Sequence, residues 1–376
     1  MGCARRYWTM LSQVTRRAVL GAVTIPLARL TAFASDDSFA AAEGQIRGIL
    51  SQRIDIARES LGIVVGLAGR TTTRFIAHGS RSAADRRVPD RDTLYSVGPI
   101  TKLFTAILLA DAVQRKEMSY FDPLSLHLPD GVRVPELDGK AITLADLATH
   151  TSGLPFMPDD YPSESDRQGR SHYTQEKLYA FLASYELVSP PGSQWRYSDL
   201  GYALLTAALA HRTGIRYEAL LQRVTWPMNL RSSVASLSKE LASRLVPGHD
   251  QTLEATAPFN EPIMLGARGL YSSAADLAAL LQAFLGYRET PLASALASML
   301  QIRRPMHVGN GQQAIGLQIF GEGAHIQIGH GGSDSGYASS VAWTPGRFGV
   351  VVLSNCAPPV LDIAAHLLDP SLPLGV

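Results

Sequence analysis

A serine and a lysine three residues apart on a helix share one face, one turn apart. That spacing sets a basic side chain beside a hydroxyl able to attack a carbonyl carbon. The chain holds one intact Ser-x-x-Lys, Ser236-Leu-Ser-Lys239, and patterns this short recur by chance. Gly332-Ser-Asp-Ser-Gly336 narrowly misses the Gly-x-Ser-x-Gly nucleophile elbow, with Asp334 at the serine position; a hairpin turn is the better reading. The ten histidines are scattered, with no His-Glu-x-x-His, so neither a metal site nor any other cofactor is expected. Cys3 and Cys356 are too few for a disulfide framework or a Cys-rich metal site. Asp36-Asp37 and Asp159-Asp160 read as solvated carboxylates, not as an acid–base pair.

The scaffold that must position any site is large. The chain has 376 residues, 34 Lys+Arg against 33 Asp+Glu, and 46% hydrophobic and 18% charged residues, the charged share lying below the roughly 25% of an average soluble domain. This composition excludes a disordered chain and a nucleic-acid binder that relies on bulk positive charge. Residues 1–34 contain five arginines and no Asp or Glu. Their apolar run Ala18–Ala28 has the length of a signal-peptide core, and Ala32-Phe-Ala34 gives a small-x-small cleavage pattern. Thr15-Arg-Arg-Ala-Val-Leu20 reads as a twin-arginine export signal. An exported, periplasmic protein is therefore expected, with no transmembrane segment after cleavage. Losing those five arginines takes the net charge from +1 to −4.

Apolar spacing predicts a helix from Phe39 to about Ile56, then two strands, Leu61–Ala68 and Thr73–His78. Helical patterns follow at about 100–113, 143–149, 175–184, 199–212, 216–223 and 273–286. The C-terminal third returns to β, with runs at Ala314–Phe320, Ile326–Gly329, Ala338–Trp343 and Gly349–Leu353, and a last helix near Val360–Leu368. Asn310-Gly311 and Pro345-Gly346 mark turns. Strands at both ends with helices between predict an α+β fold whose sheet is completed by the C-terminus.

Five stretches then resemble the motifs of one family, in that family's order. They are Thr93-Leu-Tyr-Ser-Val-Gly-Pro-Ile-Thr-Lys102, Leu147–Pro155, Tyr197-Ser-Asp-Leu-Gly-Tyr202, Gly269–Asp276 and Gly329-His-Gly-Gly332. The chain is similar to the serine β-lactamases and penicillin-binding proteins (DD-peptidases). The second and third catalytic motifs resemble the class C branch. With Pro191-Gly-Ser and Pro247-Gly-His-Asp, the pattern looks most like the D-alanyl-D-alanine carboxypeptidase/endopeptidase members. The resemblance implies a β-lactamase/transpeptidase-like fold, an antiparallel sheet flanked by helices with a helical subdomain. Residues 35–98 and 266–376 would form the α/β part and 99–265 the helical part. It also implies a serine hydrolase acting on D-Ala-D-Ala peptides of peptidoglycan or on β-lactams.

In that family a serine stands three residues before the lysine, and here that position is Pro99. The resemblance also makes the nucleophile's N–H one donor of the oxyanion hole, the other following the third motif at Ser333. Proline has neither hydroxyl nor N–H. Both the attacking atom and one donor are absent, and one such donor is worth about 3 kcal/mol of transition-state stabilisation. Ser96, six residues before Lys102, does not have the spacing to substitute. The helix itself should survive, because proline suits its first turn. Lys102, as the motif lysine, is expected in the pocket, where burial favours the neutral form. Tyr197 matches the proton-shuttle tyrosine. Asp199 stands for the usual Asn and, when ionised, only accepts hydrogen bonds. His330 takes the place of the basic residue facing the substrate carboxylate, and Gly332 lets substrate backbone lie along the strand. His150 is expected to fix a loop. Acyl-serine activity is therefore expected to be severely impaired or lost. The alternative is a non-catalytic protein that binds peptidoglycan or a partner in the retained cleft.

Overall fold

A computed structural model describes residues 36–162, 173–257, 259 and 261–375; the expected export signal lies outside them. Eight antiparallel strands form one sheet in the order β2-β1-β14-β13-β12-β11-β10-β9. The strands are β1 Gly62–Ala68, β2 Thr73–Gly79, β9 Arg303–Pro305, β10 Gln312–Ala314, β11 Gln318–Phe320, β12 Gln327–Asp334, β13 Tyr337–Trp343 and β14 Gly349–Ser354. Three two-stranded ladders pair β3 Leu94–Ser96 with β8 Tyr271–Ser273, β4 Glu136–Leu137 with β5 Lys140–Ala141, and β6 Gly248–His249 with β7 Ala255–Thr256. No helix among the described residues is long and apolar enough to cross a membrane.

Alternation along the central strands splits the core in two. Ile63, Val65 and Leu67 of β1, with Val350 and Val352 of β14, pack beneath Phe39, Ile46 and Leu50 of helix α1 (Asp36–Ser51) and Ile363 and Leu367 of the last helix (Leu361–Leu368). Val64, Val351 and Leu353 face the opposite way, into the larger core. Helix α2 (Thr101–Gln114) is buried from Thr101 to Ala112, which an apolar run on all sides requires. Helix α3 (Asp199–Thr213) has Ser198 as its N-cap, whose hydroxyl accepts the Gly201 N–H, and ends at Gly214 with φ +66°. A short helix α4 (Leu265–Arg268) packs against both.

Three expectations need revision. The Ala314–Phe320 run is not one strand: it folds back at Gly316, φ +70°, between β10 and β11. A Cβ on Gly316 would lie 2.4 Å from Cβ of Ala106 in α2, so contact with another element sets this turn. Strand β12 in turn outruns the expected Ile326–Gly329, because β13 continues to pair with it as far as Asp334↔Tyr337. The Gly332–Gly336 segment thus forms the end of β12 and its hairpin turn. The 216–223 helical stretch divides into Tyr217–Leu220 and Gln222–Thr225, and Ala293–Ser298 is a helix for which no expectation was made.

Candidate active site

Pro99 sits in the 3₁₀ turn Gly98–Ile100 that leads into α2. The turn closes without a proline N–H: Ile100 N–H donates to Val97 O at 3.1 Å, and Thr101 N–H points at Gly98 O and Pro99 O. The local structure therefore loses nothing to the proline. Its ring occupies real space. A Cβ on Gly332 would lie 3.0 Å from Pro99 Cγ, so a larger residue there would press on the proline ring. Ser339 of β13 reaches the same turn, its hydroxyl donating to Val97 O at 2.9 Å.

One helical turn on, Lys102 is fully buried. Its Nζ donates to Ala267 O at 3.0 Å and lies 2.7 Å from Asp199 Oδ1. Two threonines hold α2 against this segment: Thr105 Oγ1 donates to Gly266 O at 2.6 Å and Thr101 Oγ1 accepts the Leu270 N–H at 3.1 Å. Burial pulls the lysine below its usual range, while Asp199 opposes the shift. Asp199 itself would be raised by burial, but Arg268 and Lys102 outweigh this and hold it below the usual carboxylate range. Its place at the start of α3 also favours the anion. Asp standing where the family has an Asn thus sets a carboxylate against the buried lysine, which opposes but does not reverse the pull of burial toward the neutral amine.

Tyr197 precedes α3, and its ring centroid is 5.0 Å from Lys102 Nζ. Burial and the nearby Asp199 push its phenol well above the usual value, so it rests protonated. His150 lies against it, ring centroids 4.4 Å apart and planes tilted by 33°, and, as expected, ties the loop together. Its Nδ1 accepts the Ser198 N–H at 3.1 Å and its carbonyl accepts the Arg196 N–H at 2.7 Å. That assigns the proton to Nε2, which is buried without a partner.

His330 of β12 is buried, with no side-chain partner on either ring nitrogen. Burial, and then Lys102, depress its pKa to about 3. It is a neutral imidazole at pH 7 and can meet a carboxylate by hydrogen bonding, not as the cation its motif position suggests. Ser333 follows Gly332 on the same strand with its Oγ buried and unpaired.

Two site residues escaped the sequence reading as functional groups. Arg268, at the end of α4, contacts Asp199 Oδ2 through Nε and Asp334 Oδ1 through Nη1 at 2.9 Å. Its partners stand 69 and 66 residues away in sequence, so no local spacing reveals it. Asp334, noted only as the residue that spoils a nucleophile elbow, is the second carboxylate of this network. The intact Ser236–Lys239 pattern, by contrast, is exposed, and Ser238 within it caps the helix Lys239–Ala242. Among the described residues no group of His, Cys, Asp and Glu could hold a metal.

Comparisons with known proteins bear on the family and the fold. The Beta-lactamase family model matches residues 46–369. The D-alanyl-D-alanine-carboxypeptidase/endopeptidase AmpH of Escherichia coli K12 is 27% identical over 266 residues, 68% of this chain and 65% of its own length. The chain thus spans 65% of the length of that curated relative. A Pseudomonas fluorescens β-lactamase is 25% identical over 252 residues, 66% of each chain. Among solved structures, a class C β-lactamase from Rhodobacter sphaeroides superposes with a TM-score of 0.71 at 25% identity, covering 90% of this chain and 98% of that one. The β-lactamase/D-alanine carboxypeptidase of Yersinia pestis gives 0.74 at 22% identity, covering 89% and 97%, a likeness of fold. With the α+β fold and the ordered motifs, these matches place the chain in the Beta-lactamase family, the serine β-lactamase and DD-peptidase lineage.

Proposed function

We propose that this protein keeps the cleft of a β-lactamase/DD-peptidase hydrolase but has lost its acyl-serine chemistry. The observation that carries the reading is Pro99, buried in the turn where the family's nucleophile stands. The hydroxyl that would attack and one oxyanion donor are missing together, while Lys102 and Tyr197 remain beside the gap. No described serine has the required spacing before Lys102. The activities named for the relatives support D-Ala-D-Ala peptides of peptidoglycan, and the β-lactams that mimic them, as the class this cleft would take. The basic, apolar N-terminal segment supports export to the periplasm, where such peptides occur.

Incubation of the purified protein with a fluorescent penicillin tests the reading. We expect no covalent label on the native chain; a label mapped to the Lys102 helix would overturn it. A second reading, non-catalytic binding of stem peptides or a partner, is favoured by one feature. The Phe156 ring is 41% exposed and stacks with Tyr197 at 6.2 Å, an apolar platform beside the polar floor. Calorimetry with a D-Ala-D-Ala peptide should then show heat of association that Phe156→Ala reduces, and no heat would count against it.

A further inference from the structure

The sequence motifs assign no role to Arg268, yet it is the residue that joins the two walls of the cleft. Asp199 belongs to α3 on the helical side and already holds Lys102 at 2.7 Å. Asp334 ends β12 on the sheet side and packs on the turn that carries Pro99, since a Cβ on Gly98 would lie 2.8 Å from Asp334 Cβ. The guanidinium spans the two carboxylates. It is also fenced by rings, with Cζ 5.4 Å from the Phe156 centroid and 5.7 Å from that of Phe259. The side chain is 18% exposed, whereas Asp199 and Asp334 are 0% and 5%. Arg268 is therefore the part of the network that an entering molecule meets.

We propose that Arg268 is a built-in plug: its guanidinium fills the inner cleft between Lys102 and β12 and excludes ligands from the acylation position. The proposal rests on the lineage reading of the cleft but concerns a different residue and a different step, entry instead of attack. Lys102 and Arg268 both lie against carboxylates, so the floor offers an incoming carboxylate no unpartnered basic group. A guanidinium held at two points by two different carboxylates yields its partners only to a ligand that replaces both contacts. Burial raises Asp334 above the usual carboxylate range against the pull of Arg268, which makes this the weaker of the two attachments. Restoring a serine should therefore not suffice to restore efficient acylation.

The test compares Pro99→Ser alone with Pro99→Ser combined with R268A and D334N, which removes one charge of each sign. Both proteins are reacted with fluorescent penicillin over a range of concentrations. Acylation joins the introduced hydroxyl oxygen to the β-lactam carbonyl carbon, breaks the ring C–N bond and passes the hydroxyl proton to the departing nitrogen. We expect the half-saturating concentration to fall by about tenfold or more in the triple variant, the factor that about 1.4 kcal/mol of released contact supplies. The limiting rate should change less, because a plug obstructs entry and not chemistry. Equal half-saturation in the two proteins, a gain confined to the limiting rate, or no label on either would overturn the proposal. If circular dichroism shows the triple variant unfolded, P99S/R268K replaces it. Its compact ammonium cannot bridge both carboxylates, so half-saturation should fall in the same direction, and no fall would overturn the plug. Label on the unmodified native chain, read separately, would strike the loss of acyl-serine chemistry instead.

Discussion

At the scale of single residues, the candidate site sets Pro99 beside a cluster of buried charges, Lys102, Asp199, Arg268 and Asp334. Buried ion pairs add little net stability over apolar replacements, but removing one partner strands the other. Asp199 is the extreme case, because both Lys102 and Arg268 depend on it. Asp199→Ala should lower the unfolding free energy by about 3–5 kcal/mol, measured by urea denaturation with an unchanged slope. A loss below about 1 kcal/mol would show that the network is solvated in solution. His330 supplies a pH effect of known sign. With its pKa near 3 in the fold and about 6.5 when unfolded, the unfolded chain takes up the proton first as pH falls. Its contribution to stability is complete above about 6.5 and is lost progressively down to about 3. His150, also depressed, acts in the same direction. His330→Asn should therefore flatten the stability curve between pH 6.5 and 3 without abolishing its slope. An unchanged curve would mean that His330 binds its proton equally in the folded and the unfolded chain.

At the scale of elements, α2 must stay in register with the sheet for Lys102 to remain in the cleft, and Gly316 is a contact that fixes it. A methyl there would meet Ala106 at 2.4 Å, and φ is +70°. Gly131 makes a control, since its φ is +87° but nothing lies within 4 Å of an added Cβ. Both alanine variants bear the cost of a left-handed backbone, about 1–2 kcal/mol. Gly316→Ala should cost about 1–3 kcal/mol more through overpacking, seen as a lower melting temperature than Gly131→Ala; equal melting would remove the clash argument. This contrast also shows what the sequence can disclose. The helix bearing Lys102, the strand pair β1–β2 and the turn at Pro345-Gly346 depend on local periodicity or turn chemistry, and all are legible. The break at Gly316 depends on Ala106 of another helix. The Arg268 network joins residues whose separation in the chain carries no pattern. The proline three residues before Lys102 was legible because the motif fixes that position, whereas the carboxylate contact of Lys102 was not, because Asp199 meets it only once the chain is folded.

At the scale of the whole molecule, the sheet is centred on strands from opposite ends of the chain. β1 is paired with β14 through six residue pairs, from Ile63↔Ser354 to Ala68↔Gly349, and β14 with β13 over a ladder of equal length. Neither β1 nor β13 has another partner on that side. Closing the sheet thus waits on residues almost 300 positions apart, a topology of high contact order that folds slowly. The C-terminal helix does a different job. Ile363, Leu367 and Leu368 are buried against the outer face of the sheet, and Asp362 pairs with Arg53 beyond α1. These side chains cover strands that are already paired. Truncation after Val360 should therefore leave a cooperative fold weakened by several kcal/mol, at about 1.5–3 kcal/mol for each buried Ile or Leu. Truncation after Phe348 also removes β14 and exposes backbone donors and acceptors on both flanking strands, which burial does not forgive. That chain should show no cooperative thermal transition by circular dichroism. A sharp melt after the longer deletion would mean that the N-terminal and C-terminal halves fold independently, and would refute a single sheet joined through β14.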